Sequence, residues 1–249
     1  MTRIDPVAAA GFASAAEVYE RARPSYPPDA IDWLLAQAGV GEGDTIVDLG
    51  AGTGKLTRLL VPSGARVIAV EPIPEMRALI AVGEAVDGTA EEIPLADGSA
   101  DLVTVAQAFH WFDLDRALPE IHRVLRPGGA LALVWNMRDL DDSLQRGVED
   151  LLAPLRGRVA YARRESDWCA AALAASPLFG ETETAVFRYE QQFTVDDLVD
   201  RVASTSFVAT MADGERQPLL DRVRALAVGR EEPFPFPYVT EVLVSPRTP

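Results

Sequence analysis

The sequence predicts an α/β domain built on a mainly parallel sheet with helices on both faces. Three observations predict it. Between Thr45 and Trp135, short apolar strands alternate with stretches of helical periodicity, the pattern that β-α-β crossovers produce. The first strand runs into a glycine-rich stretch, Val47-Asp48-Leu49-Gly50-Ala51-Gly52-Thr53-Gly54, that opens a helix. The second strand ends on an acid, Glu71, about twenty residues beyond the glycines.

The elements follow in order. A short helix is expected over 13–22 and is ended by Pro24, Pro27 and Pro28, because proline lacks an amide donor and biases its predecessor away from helix. Ile31, Leu34, Leu35 and Ala38 recur at helical spacing, with Gly39 as the stop. Thr45–Leu49 reads as a buried strand, and the helix from Lys55 stops at Gly64. Arg66–Val70 is a second strand, 75–81 a helix and 102–106 a further strand. Leu114, Leu118, Ile121 and Leu125 form a helical stripe whose regular part is expected to begin at Pro119. Pro127-Gly128-Gly129 reads as a turn into a strand over 130–135. After Asn136 the pattern changes to irregular helix over 139–179, a strand over Glu183–Phe193 and a helix from Thr194, with Asp197 completing an approximate capping box. A helix over 218–228 and an alternating strand over 238–244 finish the chain.

Composition narrows the function. With 249 residues, 48% of them hydrophobic, the chain suits one large domain with a sizeable core. A formal charge of -15 would repel phosphates, which argues against nucleic acid and anionic membranes as partners. Cys169 is alone, so neither an intrachain disulfide nor a cysteine-built zinc site is possible, and no metal is expected. Its thiol reads as a small buried hydrophobe, with a reactive thiol as the other reading. No run reaches the ~18 apolar residues of a membrane span, and the acidic start does not resemble a signal peptide. The expectation is a cytoplasmic protein acting on a small molecule.

The glycine loop and Glu71 make a stronger signal together than apart. Glycines there let the chain turn tightly and approach a ligand, and an acid at the end of the next strand can bond both hydroxyls of a ribose. The bland alternative is an ordinary tight turn and a solvated strand end. The spacing is G-x-G-x-G, whereas a dinucleotide loop needs G-x-G-x-x-G facing a pyrophosphate. Asp48, ahead of the first glycine, would repel a pyrophosphate but suits the ammonium and sulfonium of S-adenosylmethionine. A nicotinamide-dependent oxidoreductase is therefore the less favoured reading.

Further motifs appear in a fixed order: 19–27 (YERARPSYP), 47–54 (VDLGAGTG), Val70-Glu71-Pro72, 88–94 (GTAEEIP), 106–113 (AQAFHWFD) and 125–129 (LRPGG). With them the chain resembles the class I S-adenosylmethionine-dependent methyltransferases, in particular the trans-aconitate methyltransferase-like branch of methyltransferase type 11. The resemblance implies a Rossmann-like, seven-stranded, mainly parallel sheet completed by strands around Phe187 and Val242. It divides the single domain 1–249 into a helical lid (1–40), a cofactor-binding core (41–136), a helical substrate cover (137–182) and closing strands with a helical insertion (183–249). It places Tyr19 and Arg23 on the lid, and Asp48, Gly50, Ala51, Gly52 and Gly54 around the methionine and ribose. Glu71 and Pro72 fall at the ribose diol, and Thr89, Ala90 and Glu91 along the adenine edge. Relatives often carry an acid where this chain has Thr89, so Glu91 or a backbone carbonyl is expected to substitute. Ala106 and Gln107 should border the sulfonium. A non-catalytic cofactor-binding protein is the third reading, although none of the motifs looks degraded.

Methyl transfer needs alignment above all, and a base only where the nucleophile starts protonated. His110, followed by Trp111 and Phe112, is the candidate base; equally, it orients the loop while its aromatic neighbours wall the pocket. His122 reads as a surface residue. A carboxylate acceptor would need cationic clamps instead, for which Arg21, Arg23 and Arg138 are candidates against ordinary ion pairing. Tyr26, Trp111 and Asn136 are expected on the acceptor side. Arg163 and Arg164 read as a solvated helix face. The expected activity is methylation of a small acceptor through an oxygen nucleophile, a carboxylate or a hydroxyl.

Overall fold

Alternation along the strands sends consecutive side chains into two separate cores, and this splits the chain into layers. In the computed structural model, which describes residues 23–155 and 165–249, the elements are α1 (Pro28–Ala38), β1 (Thr45–Leu49), α2 (Lys55–Leu60), β2 (Arg66–Val70), α3 (Pro74–Arg77), β3 (Glu84–Val86), β4 (Ala100–Ala106), α4 (Leu114–Val124), β5 (Leu125–Arg138), α5 (Ser143–Leu152), α6 (Glu165–Ala175), β6 (Glu183–Phe193), α7 (Val195–Ala203), α8 (Ser206–Ala209), α9 (Asp213–Leu226) and β7 (Phe234–Pro246). The expected helix over 13–22, with Tyr19 and Arg21, lies outside the described residues, as do Arg163 and Arg164.

The seven strands form one sheet in the order β3-β2-β1-β4-β5-β7-β6. β1 to β5 pair in parallel, and β7 joins antiparallel to both β5 and β6. The strand order reverses between β1 and β4, so the crevice for a ligand lies outside their carboxyl ends. Leu131, Leu133 and Trp135 of β5 face a core closed by α4 and α6, where Cys169 is buried. Ala130, Ala132 and Val134 face the opposite core under α1 and α2. A third core lies beside these two. β6 and β7 keep pairing beyond Arg138, the last residue of β5, as far as Phe193↔Phe234, and α5, α7 and α9 pack on this overhang through Leu144, Val148, Leu198, Val202 and Val223. Phe193 and Phe236 stack with ring centroids 4.6 Å apart, and Tyr189 and Tyr238 with centroids 5.6 Å apart.

The structure departs from the sequence reading at definable points. α4 and α9 begin one turn before Pro119 and Pro218, each of which is the sixth helical residue rather than the first. Both prolines are exposed, so water can serve the carbonyls they leave unbonded. Pro127-Gly128-Gly129 is not a separate turn but part of β5, at a register irregularity opposite Ala100/Leu102. The edge strand β3 has only three residues, none fully buried, and so carries no alternation to read.

α7 starts in a complete capping box: the Thr194 hydroxyl accepts from the Asp197 amide (3.1 Å), and Asp197 Oδ2 accepts from the Thr194 amide (2.8 Å). Thr194→Ala should cost about 1 kcal/mol, the usual worth of such a cap. The check is a lower urea midpoint with an unchanged denaturant slope.

Candidate active site

The loop after β1 is held from below by backbone chemistry. Gly50, Gly52 and Gly54 all have positive φ (68°, 59° and 78°), a region that side chains with a Cβ rarely adopt. A Cβ on Gly50 would also sit 2.8 Å from the Cβ of Ala108. The amides of Gly50 and Ala51 donate to the Val70 carbonyl (2.9 and 3.2 Å), and the Gly52 amide donates to Glu71 Oε2 (2.8 Å). Three consecutive amides are thus turned toward β2, so the loop lacks the outward nest of N–H groups that cradles a pyrophosphate.

Two buried acids lie beneath it. Asp48 is 1% exposed, and its carboxylate accepts from the hydroxyls of Thr57 (2.6 Å) and Thr104 (3.2 Å). Burial pushes its pKa up to about 6, with the two threonine bonds acting the other way. This corrects the expectation that Asp48 lies at the surface of the loop: on β1 its side chain is committed to two hydroxyls in the sheet interior. Glu71 accepts from both the Gly52 and Ile73 amides (2.8 and 2.9 Å) and is 4% exposed. Burial raises its pKa, and the two amides and Arg77 partly offset the rise. Each carboxylate oxygen keeps a further lone pair for a diol.

Beyond the loop opens a cleft lined by Arg23, Pro24, Tyr26, Gly50 to Thr53, Lys55, Leu56, Ala106, Gln107, Asn136 and Arg201, with about 550 Å³ of empty space when the open solvent at its mouth is included. Eight of the residues expected from sequence therefore converge here: Arg23, Tyr26, Gly50, Ala51, Gly52, Ala106, Gln107 and Asn136. Gln107 has φ 57°, an unusual conformation for a residue with a Cβ and one that clusters at functional sites. Its amide donates to the Val134 carbonyl (3.1 Å) and its side chain to the Asn136 carbonyl (3.0 Å), which joins the tips of β4 and β5. Asn136 in turn donates to the Ser25 carbonyl (2.8 Å) and accepts from Thr240 (2.6 Å), while the Tyr189 hydroxyl also donates to Ser25. Arg23 donates to the Ser204 carbonyl (3.0 Å), so the segment entering α1 is tied to the sheet and to the end of α7.

Other expected residues sit elsewhere. Pro72, Thr89 and Ala90 flank the end of β2 outside this cleft, with Ala90 buried and Thr89 bonded backbone to backbone with Glu92. The Glu91 carboxylate accepts from the Asp113 amide (2.9 Å), which secures the start of α4. Gly54 is the N-cap residue of α2 and faces Ile80. His110 is not among the lining residues; it packs against Trp111 and Trp135, with ring centroids 4.4 and 5.4 Å away. Burial, followed by the charge of Arg23, drives its pKa down to about 4, so its conjugate acid is too strong for an effective base near neutrality. Arg138 is paired with Glu149 (3.2 Å) rather than directed into the cleft, and His122 Nε2 lies 3.1 Å from the Thr248 carbonyl. Thr53, Lys55, Leu56, Pro24 and Arg201 complete the cleft unexpectedly. Lys55, the single lysine of the chain and the residue after the last glycine, could have been singled out; nothing around Arg201 distinguishes it in the sequence.

A methyltransferase-domain family model matches residues 47–133, the span from β1 into β5. An uncharacterized methyltransferase of Mycobacterium tuberculosis is 44% identical over 246 residues, covering 92% of each chain. The chain is a class I S-adenosylmethionine-dependent methyltransferase. A second methyltransferase relative, from Schizosaccharomyces pombe, is 37% identical over 81% of this chain and 80% of its own. A solved structure from Anaeromyxobacter dehalogenans, assigned to the type II methyltransferases, superposes with a TM-score of 0.65 at 25% identity, covering 89% of this chain and 97% of that one. The cofactor of this methyltransferase is S-adenosylmethionine, and the residues present fit it. Two buried carboxylates under an amide-poor loop suit a sulfonium, an ammonium and a ribose diol. The same arrangement is hostile to a pyrophosphate, which sets the nicotinamide reading aside. Among the described residues, the space beside Gly52 meets only Met76 Cε at 3.8 Å.

The raised pKa of Asp48 has a definite sign. Its folded value lies above the unfolded one, so the folded protein takes up a proton as pH falls through about 6 and the negative field under the loop is lost. Affinity for the cationic cofactor should therefore rise with pH through about 6 and flatten above it. Asp48→Asn should remove that dependence and weaken binding at pH 7.5 by about ten-fold, the scale of a charge acting through a protein-like dielectric. Calorimetric titration with S-adenosylmethionine across pH 5 to 8 checks both; a pH-dependent asparagine variant would count against the assignment. Glu71→Ala should weaken binding in a folded protein by at least a comparable factor.

Proposed function

We propose that this methyltransferase modifies a small acceptor through an oxygen nucleophile, a carboxylate in first preference. The observation that carries the reading is the polarity of the cleft. Among the described residues three cations line it, Arg23, Lys55 and Arg201, and none of those lining residues is a carboxylate or an imidazole. Such a pocket is poor in bases and rich in anion partners. A carboxylate is already ionised near neutrality, so it needs orientation and no proton acceptor, whereas a hydroxyl or an ammonium would need a base.

When bound, S-adenosylmethionine supplies a methyl group on a positively charged sulfur. The chain's own residues then bind, align and exclude water. Gly50, Ala51, Gly52 and Gly54 form the loop that would hold the methionine and ribose above the buried Asp48, with Glu71 and Pro72 at the diol and Thr89, Ala90 and Glu91 along the base. Arg23 and Lys55 suit the methionine carboxylate. Ala106 and the strained Gln107, fixed between β4 and β5, would border the reacting carbon. Tyr26 and Asn136 would shape the acceptor side, with Trp111 behind the wall formed with His110. Correct alignment of this kind can supply ~7–11 kcal/mol of a transfer barrier.

The test is a panel of small acceptors read by formation of S-adenosylhomocysteine. Benzoate and succinate stand for carboxylates, with matched phenols, alcohols and amines beside them. Carboxylates should be methylated at a rate nearly flat from pH 6.5 to 9, and His110→Ala should lower that rate by less than about five-fold, the signature of a group outside acid–base chemistry. Methylation confined to hydroxyls or amines, with a rate climbing over that pH range, would defeat the reading.

A further inference from the structure

We propose that Arg201 is the residue that selects an anionic acceptor, by binding a negatively charged group of that molecule in the cleft. The proposal rests on the carboxylate reading above and assigns its recognition to one side chain from outside the family-model match. Arg201 lies on α7, within the helical insertion between β6 and β7, and lines the same cleft as the glycine loop.

Its guanidinium is oriented and left waiting. Nε donates to the Tyr238 hydroxyl at 3.2 Å. Tyr238 is 1% exposed, stacks on Tyr189 and meets Phe236 edge-on, so the group holding Arg201 sits in a rigid aromatic floor. Nη1 is buried and has no hydrogen-bond partner, and Arg201 forms no ion pair among the described residues. The nearby acceptors are already taken: Arg23 occupies the Ser204 carbonyl, and Tyr189 and Asn136 share that of Ser25. Two acids of α7 are committed elsewhere, Asp196 to Arg224 on α9 (2.8 Å) and Asp197 to Thr194 in the capping box. A desolvated guanidinium nitrogen without an acceptor is unfavourable in the free protein. A planar fork on a residue that lines a cleft, with one donor still unsatisfied, matches a carboxylate or phosphate oxygen brought by a ligand.

The role differs from that of Arg23. Arg23 is bonded to the chain end of α7 and adjoins the loop side of the cleft, whereas Arg201 comes from the part of the fold least tied to the cofactor. Its loss should therefore change acceptor binding and leave cofactor binding alone.

Arg201→Gln and Arg201→Lys separate the outcomes. In steady-state assays with benzoate or succinate, Arg201→Gln should raise KM by about ten- to hundred-fold, the worth of one charge-assisted bond, with kcat and the affinity for S-adenosylhomocysteine little changed. Arg201→Lys should recover part of the loss. The neutral amides, benzamide and succinamide, serve as binding competitors; their inhibition constants should be equal in the wild type and in Arg201→Gln. An unchanged KM for the acids, or an equal loss of acid and amide binding, overturns the assignment while the carboxylate reading stands. If no acid is methylated, the carboxylate reading fails by itself. Calorimetry of succinate against the protein saturated with S-adenosylhomocysteine then decides on Arg201. Binding to the wild type that Arg201→Gln abolishes supports it, and no binding, or binding retained in the variant, overturns it.

Discussion

The site depends on how the end of β2 consumes the amides of the loop that follows β1. The Val70 carbonyl takes Gly50 and Ala51, and the Glu71 carboxylate takes Gly52 and Ile73. The three bonds from Gly50, Ala51 and Gly52 fix the loop against the sheet and turn its donors away from the crevice, and those from Gly52 and Ile73 hold the buried Glu71 carboxylate. The rest of the cofactor side follows from that choice. A loop with its amides facing out would favour phosphate; with its amides facing in over Asp48 and Glu71, it favours positive charge.

A second constraint is the overhang of β6 and β7 beyond β5. Once Phe193, Phe234, Phe236 and Tyr238 extend past the parallel sheet, they expose an apolar ribbon that must be covered. α5, α7 and α9 cover it, and the cover places Arg201 over the crevice. The molecule therefore joins one half made from local strand-loop-helix units to another half made by packing. The Ser25 and Ser204 carbonyls, each receiving side chains from distant elements, stitch the two together.

Charge is arranged against the average. The chain carries -15 overall, yet the lining of the cleft is cationic and its acids lie underneath, buried at Asp48 and Glu71. A small anion drawn to this cleft would meet a repulsive exterior, so its recognition would rest on short-range bonds more than on long-range steering. His110 illustrates the same burial acting on an imidazole: packed against Trp111 and Trp135, outside the residues that line the cleft, it has its pKa driven down to about 4.

The sequence by itself determined the layered α/β fold, the glycine loop with its acid and the class of cofactor, because each is local. Strand periodicity, the spacing of Gly50, Gly52 and Gly54, and Glu71 at the end of the next strand lie within a single β-α-β unit whose geometry admits few solutions. It misplaced the starts of α4 and α9, where exposed prolines sit one turn inside the helix, and it missed β3, too short to show a pattern. Only the tertiary structure decided which polar side chains face the cleft. Asp48 turned inward because two threonine hydroxyls, one on a neighbouring strand, satisfy it. Arg138 was drawn away by Glu149. Arg201 came in because an antiparallel strand pair, remote from the glycine loop in sequence, needed a helical cover. Such outcomes depend on partners far along the chain, and a reading confined to local pattern has no access to them.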